Sequence, residues 1–132
     1  MGYKFSFEKL EVWQMARLMV KKVYQITENF PGKEQFGLTN QMRRAAVSVC
    51  ANIAEGATRN SAKEQAYFTS IAYGSLLELL SHMIISADLN FISEEILVDF
   101  RATVQPLSVK INNLRTSQIN SIPMKSQDNS RL

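Results

Sequence analysis

The stretch GLTNQMRRAAVSVCANIAEGAT, residues 37–58, carries a clear helical pattern. Apolar or small residues recur in it at intervals of three and four, which places them on one face of an α-helix. These residues are Leu38, Met42, Ala45, Val49, Ile53 and Ala57. With Thr39 as the expected N-cap, the stretch predicts a helix that buries one long face against its neighbours.

The segment before it, residues 7–30, repeats this spacing and predicts a long first helix. Its apolar face consists of Val12, Ala16, Met19, Val23, Ile26 and Phe30. A second apolar stripe lies beside the first, so this helix is expected to touch two neighbours; it consists of Leu10, Trp13, Val20 and Tyr24. Pro31 and Gly32 end the helix, because proline lacks the amide that a continuing helix needs and glycine accepts a chain reversal.

A third helix is predicted from Ser61 onward, because Ser61 and Glu64 form the S-x-x-E pattern of a capping box. It is expected to run for about 27 residues and to end at Asn90. Its expected core face consists of Phe68, Ala72, Leu76, Leu80, Met83 and Ala87.

A fourth helix is predicted after Ser93, which supplies a cap, with Glu94 and Glu95 adding negative charge in the first turn. Its expected core face consists of Ile96, Phe100, Val104, Leu107, Ile111 and Leu114. Pro106 falls inside this segment and removes one backbone hydrogen bond, so it is expected to kink the helix or split it near Thr103.

Four long helices with short connectors predict an all-α fold, an antiparallel up-down-up-down four-helix bundle. We place the bundle at residues 1–117 and a flexible polar C-terminal tail at residues 118–132. The 132 residues suit one domain, and only 5 Gly and 3 Pro argue against a turn-rich β-sandwich. No apolar run reaches the length of about 18 residues that spans a bilayer, and the N-terminus has no secretory signal pattern. A cytoplasmic protein without a membrane segment is therefore expected.

The sequence offers little catalytic chemistry. One cysteine, Cys50, and one histidine, His82, exclude a disulfide within the chain and a Cys/His zinc cage. A di-metal bundle needs two Glu-x-x-His pairs, whereas Glu78 and His82 stand four residues apart and form an ordinary helical contact. The glycines are scattered rather than gathered in a phosphate loop. We expect no enzyme activity, no cofactor and no metal.

Charge is unevenly distributed although the net charge is only +3. Residues 33–63 contain five Lys and Arg against two Glu, whereas residues 64–100 contain six acids and no Lys or Arg. The first helix adds a cluster of Arg17, Lys21 and Lys22. Two interpretations stay open: a surface for nucleic-acid phosphates, or a solvated surface with ion pairs. A basic face could also meet the acidic helices of another subunit in a head-to-tail ring.

Polar residues recur at helical spacing within two otherwise small-residue faces. They are Ser48, Asn52 and Glu55 on the second helix, and Gly74, Ser75 and Glu78 on the third. Buried polar groups need partners, so we expect Asn52 and Glu55 to bond across to Ser75 or to Arg43 and Arg44. Gly74 is expected to let the two backbones approach. A small-molecule pocket within the bundle is the rival interpretation.

Three segments carry a family resemblance: FEKLEVWQMA at 7–16, FPGKEQFGLTNQMRRAAVSVCANIAEG at 30–56 and IAYGSLLELL at 71–80. Over roughly residues 5–116 the chain resembles the bacterial four-helix-bundle proteins encoded in intervening sequences of 23S ribosomal RNA genes, often labelled S23 ribosomal protein. That family is similar to the accessory variability determinant of diversity-generating retroelements, a basic pentameric barrel that engages nucleic acid and a reverse transcriptase. The resemblance implies a homopentamer, RNA or DNA as a ligand, and a partner protein such as a reverse transcriptase.

The resemblance also marks motif residues to which it assigns no role. On the second helix these are Gln41, Arg43, Arg44, Ser48, Asn52, Glu55 and Gly56, and on the third Gly74, Ser75 and Glu78. The predicted function is therefore non-enzymatic binding of nucleic acid by an oligomer, and the alternative is a protein-interaction scaffold. The residues predicted to contact phosphates are Arg17, Lys21, Lys22, Arg43, Arg44, Arg59 and Lys63.

Overall fold

The structure is a computed structural model that describes residues 2–123. It contains four α-helices: α1 (Glu11–Thr27), α2 (Leu38–Ala57), α3 (Ala62–Asp88) and α4 (Glu94–Asn120). Two short 3₁₀ turns, Ser6–Lys9 and Gly32–Glu34, precede α1 and α2. No β-strand occurs in this part of the chain, so the prediction of an all-α four-helix fold is confirmed.

The two serine caps predicted from sequence begin α3 and α4. The Ser61 hydroxyl accepts a hydrogen bond from the Glu64 amide at 3.1 Å. The Ser93 hydroxyl accepts one from the Ile96 amide, also at 3.1 Å. Each cap satisfies an amide that has no partner within its helix, which explains why the helices start at these residues.

Asn90 ends α3 as expected, and its backbone shows why. Its φ is +64°, a left-handed conformation that asparagine tolerates better than most residues. The Asn90 amide donates to the Ala87 carbonyl at 3.0 Å and the Phe91 amide donates to the Ser86 carbonyl at 2.9 Å. This pair of bonds is a Schellman motif, which closes the helix and turns the chain toward α4.

The beginning of α2 differs from the prediction. Its N-cap is Gly37, and Thr39 is a buried residue inside the first turn. The Glu34 side chain takes over the capping task, because its Oε1 accepts a hydrogen bond from the Leu38 amide at 3.2 Å. The first helix is also shorter than predicted, since residues 7–10 and 28–30 lie outside α1.

Neighbouring helices pack with opposite chain directions along their contacts. Between α2 and α3, Ser48 contacts Ser75, and Gly56 lies against Gln65 and Thr69. A later position on α2 thus meets an earlier position on α3, as an antiparallel pair requires. The same relation holds between α1 and α4, where Lys22 bonds Asp99 and Glu11 bonds Lys110.

The core is apolar and is shared by all four helices. Its largest residues with almost no exposure include Met19, Met42, Ile53, Leu76, Leu79, Met83, Phe100, Leu107 and Ile111. Burying a side chain of this kind stabilises a fold by about 1.5–3 kcal/mol relative to leaving it in water. On α4 the predicted face is shifted by one residue at its start, because Leu97 is buried whereas Ile96 is 39% exposed.

Pro106 does not split the fourth helix, so that part of the prediction is wrong. The helix is continuous from Glu94 to Asn120. Proline leaves the carbonyl of Ala102 without its usual amide partner. Both Ala102 and Pro106 lie on the exposed side of α4, where water can hydrogen-bond that carbonyl.

The predicted boundary at residue 117 falls three residues before the end of α4. Gln118 is buried and the helix continues to Asn120. Residues 124–132 of the predicted tail lie outside the described part of the chain.

Helix α3 is the one helix of residues 2–123 that is long and apolar enough to cross a membrane, judged by length and composition only. Its most apolar 18-residue window has a mean hydropathy of 1.3. No uninterrupted apolar run of this length occurs in the sequence, because the window also includes polar residues. Of that window 28% is buried inside the bundle, and Leu76, Leu79 and Met83 of α3 are fully buried core residues.

Candidate nucleic-acid interface

Over most of their length helices α1 and α2 carry cations and no acids, since their acids, Glu11 and Glu55, lie in the first turn of α1 and the last turn of α2. Residues 12–27 and 35–54 include five Lys and Arg and neither Asp nor Glu. We call the surface formed by Arg17, Lys21, Arg43 and Arg44 the α1–α2 face. The absence of acidic neighbours on these two segments means that the positive charges reinforce one another.

Arg43 is held in place by contacts with α1. Its Nε donates to the Thr27 hydroxyl at 2.9 Å, and its Nη2 donates to the Tyr24 carbonyl at 3.4 Å. The guanidinium carbon lies 4.5 Å from the centre of the Tyr24 ring, which adds a cation–π contact. A guanidinium has five N–H donors, so these bonds orient the group and leave donors for an anion.

Arg17 is supported by an aromatic ring in a similar way. Its guanidinium carbon lies 5.5 Å from the Trp13 ring centre, and Trp13 packs edge-to-face on Phe7 at 5.1 Å. Arg17 also lies close enough to α2 to act on Cys50. Burial raises the pKa of the Cys50 thiol above its ordinary value, and the Arg17 charge partly opposes this increase.

A groove runs between the end of α1 and the beginning of α2. Its volume is about 670 Å³, and we call it the α1–α2 groove. Its walls consist of Tyr24, Gln35, Phe36, Thr39, Asn40, Arg43, Arg44, Val47 and Ser48, so no acid lines it. Phe36 is 87% exposed, an unusual position for a phenylalanine.

Lys22 does not join the α1–α2 face. Its ammonium donates to Asp99 Oδ2 at 2.8 Å and to the Thr103 hydroxyl at 2.9 Å, both on α4. Together with the Lys110–Glu11 ion pair at 3.3 Å, it links α1 to α4. The charge of Lys22 is therefore offset by a neighbouring carboxylate.

Arg59 and Lys63 lie at the α2–α3 turn, away from the other predicted residues. Arg59 lies just beyond the end of α2, and the helical rise from Arg43 to Ala57 alone is roughly 21 Å along the axis. Arg59 forms an ion pair with Glu55 and lies 4.7 Å from the Phe68 ring centre. The exposed Lys63 shares a shallow groove there with Tyr67 and Phe68.

A polar contact joins α2 and α3, but its partners differ from those predicted for Asn52 and Glu55. The hydroxyls of Ser48 and Ser75 lie 2.9 Å apart and join α2 to α3. Asn52 Nδ2 donates to the Ser48 carbonyl at 2.9 Å and to the Ser48 hydroxyl at 3.0 Å. Glu55 bonds Arg59 on its own side of α2, and Arg43 bonds α1, so the network expected from sequence is wrong.

Gly74 does not bring α2 and α3 together. It is exposed, and an added Cβ would meet no atom within 4 Å. Gly56 has that role: a Cβ there would lie 3.1 Å from the Gln65 carbonyl oxygen and 3.3 Å from Phe68 Cβ. The sequence marked Gly56 as a motif residue without a role. Its position close to the short α2–α3 turn could have indicated that the two helices approach each other there. Glu78 is exposed and lies 3.8 Å from His82, the ordinary contact expected for this spacing.

Within the described residues, no group of three or more His, Cys, Asp and Glu side chains could hold a metal ion. The geometry thus defines a class: an all-α helical bundle whose most distinctive surface is the basic α1–α2 face. The chain belongs to the family of the 23S rRNA-intervening sequence protein, whose model matches residues 8–113. This confirms the family recognised from the sequence, which is not a known enzyme family. No protein with a curated description matches the chain.

Proposed function

We propose that this protein is a non-enzymatic oligomer that binds RNA or DNA through the α1–α2 face. The observation that carries the proposal is that four of the five cations in segments 12–27 and 35–54 form no ion pair within the described residues, the exception being Lys22. A polyanion approaching this side meets attraction without local repulsion, and phosphates displace condensed counterions when they bind. The link of the family to 23S ribosomal RNA intervening sequences supports a nucleic-acid partner.

The cations of the proposed site fall into three groups. Arg17, Lys21, Arg43 and Arg44 contact phosphates in this proposal, because they share the α1–α2 face. Arg59 and Lys63 supply a second contact at the α2–α3 turn. Lys22 contributes least, since its charge is already paired with Asp99.

Self-association is the second part of the proposal, with the pentamer of the resembled family as its expected form. Large apolar side chains remain exposed on the outer sides of α3 and α4: Leu77, Ile85, Leu89, Val98 and Val109. Apolar surface of this kind commonly marks a contact with another chain. The acidic segment 64–100 and the basic α1–α2 face favour a head-to-tail arrangement of subunits.

The test is fluorescence anisotropy with a labelled structured RNA and a matched duplex DNA, each titrated over a range of salt concentrations. The mass of the protein is measured in the same buffer. We expect binding with a steep negative slope of log K against log salt. Binding should be lost in the triple variant Arg17→Ala, Lys21→Ala, Arg44→Ala. The charge-matched control is Lys4→Ala, Lys9→Ala, Arg101→Ala, which removes three exposed cations outside the face.

The alternative is a scaffold for a partner protein, such as the reverse transcriptase engaged by the resembled accessory determinant. The exposed apolar side chains of α3 and α4 favour this alternative, because they suit a protein contact better than a phosphate backbone. A well-formed oligomer that binds neither nucleic acid at low salt would overturn the nucleic-acid proposal and favour the scaffold.

A further inference from the structure

We infer that the α1–α2 groove holds an unpaired nucleotide, so that this protein prefers single strands or loops to uninterrupted duplex. The inference rests on the proposed nucleic-acid function and assigns a specific site and substrate class to it. It is carried by the combination of an exposed aromatic ring, two arginines of which Arg43 is held in place, and a lining without acids in one groove.

Phe36 supplies a stacking surface. Its ring is 87% exposed, and it follows the 3₁₀ turn Gly32–Glu34. Around it, the Gln35 amide donates to the Gly32 carbonyl at 3.1 Å and the Gly37 amide donates to the Glu34 carbonyl at 2.9 Å. These bonds order the backbone on both sides of Phe36, and proteins that bind single strands stack bases on exposed aromatic rings, because every base has a π-face.

The opposite wall supplies positive charge in a fixed position. Arg43 is locked onto Tyr24 and Thr27 by the contacts described above, and Arg44 projects from the next position of α2 and is exposed. No lining residue is acidic, and the nearby Glu34 carboxylate is engaged by the Leu38 amide. A phosphate next to the stacked base thus meets two guanidinium groups and no acid in the groove lining, while Glu78 lies beside Arg44 in a neighbouring groove.

The groove also offers partners for the polar edge of a base. Gln35 and Asn40 are exposed lining residues whose amide groups both donate and accept hydrogen bonds. A volume of about 670 Å³ is in the range of small-molecule sites and accommodates one nucleotide. In a duplex the base faces and pairing edges are occupied, so this set of contacts is available only to an unpaired nucleotide.

The experiment compares a labelled 12-nucleotide unstructured RNA with an RNA duplex of the same length at one salt concentration. We expect the single strand to bind more tightly to the wild-type protein. Phe36→Ala should weaken single-strand binding about tenfold and duplex binding less than about twofold, since stacking is lost but phosphate contacts remain. Arg44→Ala should weaken the binding of both RNAs, because Arg44 contacts phosphate in this proposal.

The matched control is Tyr3→Ala, which removes an aromatic ring that is 84% exposed and lies outside the groove. It should leave both affinities unchanged. If the two RNAs bind equally and Phe36→Ala alters neither affinity, the inference is overturned while the proposed function stands. Absence of binding by both RNAs would overturn the inference, and absence of binding to duplex DNA as well would overturn the proposed function. A change of oligomeric mass in Phe36→Ala would assign the groove to a contact between subunits and also overturn the inference.

Discussion

The hydroxyl of Ser48 on α2 lies 2.9 Å from the hydroxyl of Ser75 on α3. Asn52 completes the arrangement one turn later on α2, where its amide donates to the Ser48 carbonyl and hydroxyl. A polar contact between two apolar helices is satisfied in only one relative position of the helices. The contact therefore helps to fix the register of the pair.

Removing this contact should destabilise the bundle. For Ser75→Ala we expect the free energy of unfolding to fall by about 1 kcal/mol, the usual net value of a partly buried hydrogen bond. Urea unfolding measures the difference, and Ser81→Ala on the exposed side of α3 is the control, with a change under about 0.5 kcal/mol. In a cycle with Ser48→Ala the two losses should not add, because both variants remove the same Ser48–Ser75 bond, although Ser48→Ala also removes the bond from Asn52. Additive losses would contradict the contact.

The two helical glycines should respond in opposite directions to the same substitution. Gly56→Ala should destabilise the protein by about 1–2 kcal/mol, because the new methyl group presses on the α3 backbone at Gln65. Gly74→Ala should stabilise it by about 0.5–1 kcal/mol, because its surroundings are open and alanine favours the helix. Urea unfolding of both variants at one protein concentration checks the signs. Equal effects would show that the close approach at Gly56 is not real.

Two adjacent lysines should differ in their contribution to nucleic-acid binding. Lys21 is exposed, and no ion pair is seen for it among the described residues, whereas Lys22 is paired with Asp99. If Lys21 neutralises one phosphate, Lys21→Ala should reduce the magnitude of the log–log salt slope on duplex DNA by about 0.9. Lys22→Ala should change the slope less. A larger effect of Lys22→Ala would show that the Lys22–Asp99 pair opens on binding.

The Cys50 thiol should make stability fall at high pH. Its pKa in the folded protein is raised above the ordinary 9.0, first by burial, so above that pH the unfolded chain loses a proton that the folded chain keeps. The contribution of the protonated Cys50 thiol to the free energy of unfolding is fully present below pH 9.0 and is lost as the pH rises through the higher pKa of the folded protein. Thermal unfolding of wild type and Cys50→Ala between pH 8 and about 10.5 isolates the effect, because other groups titrate equally in both. If the melting temperatures of wild type and Cys50→Ala change with pH in parallel, the pKa of Cys50 is not raised.

Arg17 provides a second check of the same thiol. Its positive charge favours the thiolate, so Arg17→Ala should raise the pKa of Cys50 further. The rate of modification by a thiol reagent at pH 8 should fall, since the thiolate is the reactive form. Arg44→Ala, which removes an exposed charge six residues before Cys50 on α2, is the control and should leave the rate of thiol modification unchanged.

The sequence by itself determined the helices and most of their ends. Ser61, Ser93 and Asn90 act on amides and carbonyls within a few positions of themselves, so local sequence is sufficient to identify them. The buried stripes follow in the same way, because their period is a property of the helix alone. The basic character of α1 and α2 is likewise visible in the composition of the two segments.

The tertiary structure decided which faces meet and what each charge contacts. Lys22 pairs with Asp99, 77 positions away, and no local pattern contains that information. Gly56 rather than Gly74 lies at the close approach, and Leu97 rather than Ile96 is buried, because both outcomes depend on the rotation of one helix against another. The spacing of apolar residues locates the buried face of a helix to within about one residue. Which residue of that face makes a given contact depends on the neighbouring helix. The α1–α2 groove arises only where Phe36, Tyr24 and Arg43 are brought together by this packing.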